Sequence, residues 1–137
     1  MNGFLLDTNV VSELRKRERC DRRVAAWLES TRLERQFVSV IVLGELVRGA
    51  ALKRPRDPKA ADALELWIAR LTRLYADRVL PVTLEIAQEW GRLGAQRPVQ
   101  AEDGLIVATA SVHRLTLVTR NMRNVAGFGV AVLNPWS

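Results

Sequence analysis

The sequence predicts an α/β fold: a central, mostly parallel sheet with helices on both faces. Three observations lead there. Short apolar runs without polar alternation, such as Phe4-Leu5-Leu6 and Leu115 to Val118, are typical of strands buried on both faces. Segments with apolar residues at helical spacing separate these runs along the whole chain. The first run stops at a carboxylate, Asp7, with Thr8 and Asn9 directly behind it. Ligands of parallel α/β sheets bind beyond the carboxyl ends of the strands, so Asp7 falls on the edge where such folds place their chemistry.

Each element follows from its residues. Gly3 to Leu6 is the first strand, and helices follow over Asn9 to Arg17 and Asp21 to Thr31. Phe37 to Val40 is a second strand and Val40 to Leu52 a helix, after which "KRPRDPK" breaks the chain with two prolines. Ala60 to Tyr75 is a long helix with Leu64, Trp67, Ile68, Leu71 and Leu74 at helical spacing. Val79 to Val82 is a third strand, which Pro81 makes short or places at an edge. Thr83 caps a helix running to Gln96, with Glu85 and Glu89 near its start. Gln100 to His113 is a further helix, Leu115 to Thr119 a clear strand, and Val130 to Leu133 a last short one.

Bulk properties narrow the function. A length of 137 residues suits one domain spanning residues 1–137. The longest apolar run, Phe37 to Leu43, is interrupted by Ser39 and is too short to span a bilayer. No basic segment precedes an apolar one at the N-terminus, so no signal peptide is expected. One cysteine, Cys20, permits no intrachain disulfide, which fits a reducing cytoplasm. With His113 the one histidine, Cys/His zinc clusters within the chain are excluded. His113 is expected at the end of a helix, where a cation complements the dipole.

The formal charge is +6, and it is lopsided. Residues 1–60 hold 13 basic and 8 acidic residues, against 8 and 7 in residues 61–137. "RKRERCDRR" at Arg15 to Arg23 and "KRPR" at Lys53 to Arg56 carry much of the excess. Such clusters attract phosphate backbones, and they gain meaning if an active site lies nearby.

Further carboxylates point to such a site. On the helix "VIVLGELVRGAAL", Glu45 shares a face with Ile41, Val42, Gly49 and Leu52, inside an apolar stripe. A glutamate so placed needs a partner. Two readings stand side by side: a pair with an arginine such as Arg48, or a bound metal. Glu102 and Asp103 open the helix "AEDGLIVATASVH", where acids also complement the helix dipole. The strand "LTLV" ends in Thr119, Arg120 and Asn121, with Asn124 three residues on. Asp7, Glu45 and Asp103 are thus acids an α/β fold could gather at one edge, beside Asn121 or Asn124. Oxygen donors without histidine or thiolate suit Mg²⁺ or Mn²⁺. Such ions activate water and stabilise charge on a phosphodiester.

The segments "LLDTNVVSEL", "SVIVLGELVRGA", "AEDGLIVATA" and "LVTRN", in this order and spacing, resemble PIN-domain ribonucleases of the VapC type. "WGRL" and the closing "NPW" are similar to a FitB-like subgroup. The resemblance covers nearly the whole chain. It implies a three-layer α/β/α sandwich and the toxin half of a type II toxin–antitoxin pair. It also implies a Mg²⁺- or Mn²⁺-dependent endoribonuclease, a homodimer, and a VapB/FitA-like antitoxin whose N-terminal part binds promoter DNA. By resemblance Asp7, Glu45 and Asp103 take the metal-binding acidic roles, with Thr8 and Asn9 as supports for Asp7. The family usually supplies a fourth acid in a pattern like T-R-[DN]-x-x-[DE]-F. Here those positions are the neutral Asn121 and Asn124, followed by Val125. Asn121, Asn124 and Glu102 are therefore further candidate ligands.

Two other classes compete. A PIN-like module lacking the fourth acid could bind RNA or antitoxin without efficient cleavage. A receiver-like phosphoacceptor is disfavoured, because the acidic pair after the first strand and the lysine after a late strand are both missing.

Overall fold

Five strands form one all-parallel sheet in the order β3-β2-β1-β4-β5. They are β1 (Phe4–Leu6), β2 (Gln36–Ser39), β3 (Val79–Leu80), β4 (Thr116–Val118) and β5 (Val132–Leu133). The computed structural model describes residues 3–137. Met1 and Asn2, which the single-domain expectation includes, lie outside the described residues. Seven helices flank the sheet among the described residues: α1 (Thr8–Arg15), α2 (Arg22–Ser30), α3 (Val40–Lys53), α4 (Pro58–Tyr75), α5 (Leu84–Gln96), α6 (Ala101–His113) and α7 (Met122–Val125).

The sheet is built outward from β1. Phe4 registers with Gln36 on one side and Thr116 on the other, and Leu6 with Val118. From β1 the chain winds to β2 and β3 in one direction, then returns to lay β4 and β5 on the other side. The order reverses at the β1–β4 seam, and crevices of open α/β sheets form at such a reversal. The strands are apolar because both faces are covered: Leu5, Leu6, Val38, Leu117 and Val118 are fully buried.

Several expected bounds shift by one or two residues, and two of the shifts have a clear physical reason. The fourth helix begins at Pro58 rather than Ala60: Asp57 caps it by accepting from the Ala60 N–H at 3.1 Å, and proline suits the first turn. Its buried face carries Ala61, Leu64, Ile68, Leu71 and Tyr75, so Leu74 points to solvent and Trp67 is half-buried. The Tyr75 hydroxyl donates to Gln36 Oε1 at 2.9 Å inside the core. Strand β3 has two residues and forms one edge of the sheet, as Pro81 suggests. The four-residue α7, after Asn121, was not expected from the sequence.

Two glycines make opposite demands. A Cβ on Gly104 would lie 2.9 Å from Trp90 Cδ1 and 3.1 Å from Val99 Cγ1, at the α5–α6 contact. A Cβ on Gly49 would meet nothing within 4 Å. We expect Gly49→Ala to raise stability by about 0.5–1 kcal/mol through helix propensity. We expect Gly104→Ala to lower it, because overpacking costs about 1–3 kcal/mol against a smaller propensity gain. Thermal unfolding of both variants checks the contrast.

Candidate active site

Asp7 follows β1 and caps α1. Its backbone N–H donates to the Val118 carbonyl at 2.9 Å, which stitches it to the end of β4. Its carboxylate is held at both oxygens. Oδ1 accepts from the Thr8 N–H at 2.8 Å, and Oδ2 accepts from the Thr119 hydroxyl at 2.7 Å. Thr119, fully buried at the end of β4, also accepts from Asn9 Nδ2 at 3.2 Å and from the Asn121 N–H at 3.1 Å. The Arg120 N–H donates to Asn9 Oδ1, so Asn9 clasps the loop after β4.

The supports are divided differently from expectation. Thr8 gives Asp7 its N–H but sends its hydroxyl to Glu45 Oε1, at 2.7 Å. Asn9 reaches Asp7 only through Thr119. Sequence reading noted Thr119 as a polar residue at a strand end and missed its part. Its signal is a hydroxyl at the carboxyl end of the strand that pairs with the Asp7 strand, and that pairing is a tertiary fact.

Glu45 is half-buried on α3 and, among the described residues, makes no ion pair; Arg48 stands exposed. The arginine-pair reading of Glu45 is therefore replaced by the Thr8 hydroxyl contact. Burial raises the Glu45 carboxyl above its ordinary value, and the nearby charges of Asp7, Asp103 and Glu102 add to this against the Thr8 hydrogen bond. Asp103, half-buried in the first turn of α6, is raised by burial and then by Asp7 and Glu102. Glu45 thus feels the charge of Asp7, Asp103 and the exposed Glu102, and Asp103 that of Asp7 and Glu102.

The asparagines sit at the rim. Asn124 shares a cleft of about 220 Å³ with Asp103, Gln100 and Arg97. The Arg97 guanidinium stacks on the Phe128 ring at 4.1 Å and donates to the Ala126 carbonyl. Asn121 is tied to Thr119 by its backbone, and its side chain is exposed. His113 ends α6 ten residues beyond Asp103, about 15 Å along the helix at 1.5 Å per residue. Its Nε2 is buried without a hydrogen-bond partner.

The donor set fits a hard divalent cation. It consists of oxygen atoms, and like charges are gathered in a half-buried place without an ion pair among the described residues. Among the described residues, however, no three His, Cys, Asp or Glu side chains stand close enough to form a metal-holding group as they are placed.

Fold and site together match known proteins. A family model described as PIN domain matches residues 4–126, and the chain belongs to the PIN-domain family, among its VapC-type toxins. It is 36% identical to Toxin FitB of Neisseria gonorrhoeae, over 97% of this chain and 98% of that protein. It is 33% identical to the VapC ribonuclease Y4jK of Sinorhizobium fredii, over 97% of each. The solved structure of FitAcB from Neisseria gonorrhoeae superposes with a TM-score of 0.87 at 36% identity, covering 97% of this chain and 98% of that one. FitAB bound to an IR36 DNA fragment superposes with a TM-score of 0.86 at 34% identity, covering 98% and 96%.

Two outcomes follow from this geometry. Glu45 and Asp103 bind protons more tightly in the folded protein than unfolded. Their stabilising contribution is complete below the ordinary carboxyl range and is lost as pH rises through the raised values. Glu13 and Glu89 run the other way, lowered chiefly by hydrogen bonds from Lys16 and Ser111, and lose their contribution as pH falls. Glu45→Gln is therefore expected to raise the Tm at pH 8 without metal and to leave it unchanged in acid. Calorimetry in EDTA at both pH values tests this; a lower Tm at pH 8 would remove Glu45 from the acidic group. Thr119→Val leaves a buried carboxylate oxygen without its donor and is expected to cost about 1–3 kcal/mol in denaturant unfolding.

Proposed function

We propose that Asp7, Glu45 and Asp103 are the catalytic and metal-holding residues of a divalent-ion-dependent endoribonuclease. The chain is a VapC/FitB-type toxin ribonuclease of a toxin–antitoxin system. The observation that carries the site is the gathering of these acids at the carboxyl edge of a parallel sheet, where none of them makes an ion pair among the described residues. Asp7, Glu45 and Asp103 would hold Mg²⁺ or Mn²⁺, which would supply water activation and charge stabilisation at a phosphodiester.

The chain's own residues divide the remaining work. Thr8 and Thr119 hold both oxygens of Asp7, fixing the direction of its lone pairs. The Thr8 hydroxyl orients Glu45 from the same turn, so the two acids are set by adjacent atoms of one loop. Asp103 faces them from α6. Glu102, Asn121 and Asn124 serve as outer ligands or hold ligating water, with less charge than a fourth acid would bring. Basic residues around the site hold the RNA backbone.

The partners we assign are an RNA substrate, a second copy of the chain, and a VapB/FitA-like antitoxin. We assign DNA contact to that antitoxin alone; the related FitAB is bound to an IR36 DNA fragment. No helix of the described residues is long and apolar enough to cross a membrane, and we place the protein in the cytoplasm, as its composition suggests.

The test is cleavage of total RNA by the purified chain, free of antitoxin, with Mn²⁺, Mg²⁺ or EDTA. Asp7→Asn is expected to keep its fold and lose cutting to background. Thr119→Val is expected to need roughly 10- to 100-fold more Mn²⁺ for half-maximal rate. Equal cutting by the parent and Asp7→Asn would exclude Asp7 from the mechanism.

A further inference from the structure

Arg97 borders the same cleft as Asp103 and is paired with no acid. The lining of this cleft, of about 220 Å³, includes Arg97, Asp103 and Asn124, and Asp103 is its one acid among the described residues. Arg97 nevertheless forms no ion pair among the described residues, with Asp103 or with any other acid. Asn124 holds a position where the PIN-type pattern usually has an acid, and its amide has no charge with which to neutralise a guanidinium.

The guanidinium is held in place and still has donors to spare. Arg97 follows directly on α5, in extended backbone. Its guanidinium lies over the Phe128 ring, 4.1 Å from the centroid. Nη2 donates to the Ala126 carbonyl and reaches the Asn124 carbonyl at 3.5 Å, at the end of α7. Phe128 is buried, and Gly127 and Gly129 on either side of it take φ of 88° and 78°, values that favour glycine. The turn fixes the ring, and the ring with the Ala126 carbonyl fixes the arginine. Nε and Nη1 make no hydrogen bond among the described residues. A positioned guanidinium with free N–H groups is suited to a phosphate, and the cost of ordering it has already been met in the folded chain.

We propose that Arg97 is a further catalytic residue, whose free N–H groups bind a non-bridging oxygen of the phosphate that is cut, on the Asn124 side of Asp103. The proposal rests on the nuclease reading for its reaction. Attack on a phosphodiester adds negative charge to the non-bridging oxygens, and a donor fixed in advance stabilises that charge without rearranging. With asparagine at 124 the cleft offers less negative charge to a second cation, and the guanidinium brings positive charge from the protein instead. An aspartate at 124 would compete with the phosphate for it.

Arg97→Gln removes the charge and keeps an amide N–H for the Ala126 carbonyl; Arg97→Lys keeps the charge. Binding of a fluorescein-labelled twelve-nucleotide oligouridylate is followed by anisotropy in EDTA, where nothing is cut. Arg97→Gln is expected to reduce the salt slope by about 0.7, and Arg97→Lys to keep the parent's slope. Asn124→Asp is expected to reduce the slope by a similar amount in the parent and no further in Arg97→Gln. Arg114→Gln, at the opposite end of α6, is expected to leave it unchanged. On total RNA with saturating Mn²⁺, Arg97→Gln is expected to cut roughly 100-fold more slowly, and Arg97→Lys to recover part of the loss. A lower slope at the parent's rate places the contact away from the cut and overturns the proposal. A lower rate at the parent's slope makes Arg97 a cap of α7 and overturns it too. A parent that never cuts with metal, while Arg97→Gln still lowers the slope, refutes the nuclease reading and leaves the phosphate contact standing. A parent that cuts, with Arg97→Gln matching it in rate and slope, refutes the role of Arg97 alone.

Discussion

The hydroxyl of Thr119 meets the carboxylate of Asp7 where β4 and β1 end side by side, and the site depends on that contact. Two strands more than a hundred residues apart in sequence are locked there by one backbone bond, Asp7 to Val118, and one side-chain bond, Thr119 to Asp7. Burying an aspartate needs such company, since an unsatisfied carboxylate away from water is costly. Asn9 and the Asn121 N–H then converge on Thr119, so the loop after β4 is anchored by the same hydroxyl. The reversal of strand order makes the crevice, and the threonine fixes what stands in it.

Around that fixed point the protein assembles a charge it does not neutralise. Ion pairs elsewhere are ordinary: Arg54 bonds Asp62 and Glu65 on the surface, and Arg92 bonds Glu89. Glu13, the buried acid of α1, is satisfied by Lys16 and the Asp21 N–H. Glu45 and Asp103 instead face other acids, and burial with like charge holds both above their ordinary values. Like-charged acids gathered at one sheet edge without an ion pair among the described residues are a common sign of a functional site.

The basic excess has a complementary placement. Arg15 ends α1 and Arg19 lies in the short turn after it, while Lys53 ends α3 and Arg56 follows it. Arg15 and Arg19 line the depression that holds Glu45, and Lys53 and Arg56 line the one that meets it at Gly49. Positive walls lead toward a negative centre, an arrangement that draws in a phosphate backbone while leaving the centre to a cation.

The sequence by itself determined the class of fold, the strands β1, β2 and β4, the helices α3 to α6, and the identity of the acids. Those are local properties: unbroken apolar runs, helical spacing, a capping threonine and an aspartate at a strand end all act within a few residues. The motifs similar to those of PIN-domain proteins imply the roles proposed for those acids. Tertiary structure decided the rest. Whether Glu45 met Arg48 or a hydroxyl depended on α1 lying across α3. Thr119 became a support for Asp7 only because β4 lies beside β1. Tyr75 entered the core because its hydroxyl found Gln36 on β2. Each outcome depends on which distant segments become neighbours, and chain-local pattern does not encode that choice until the sheet order is fixed.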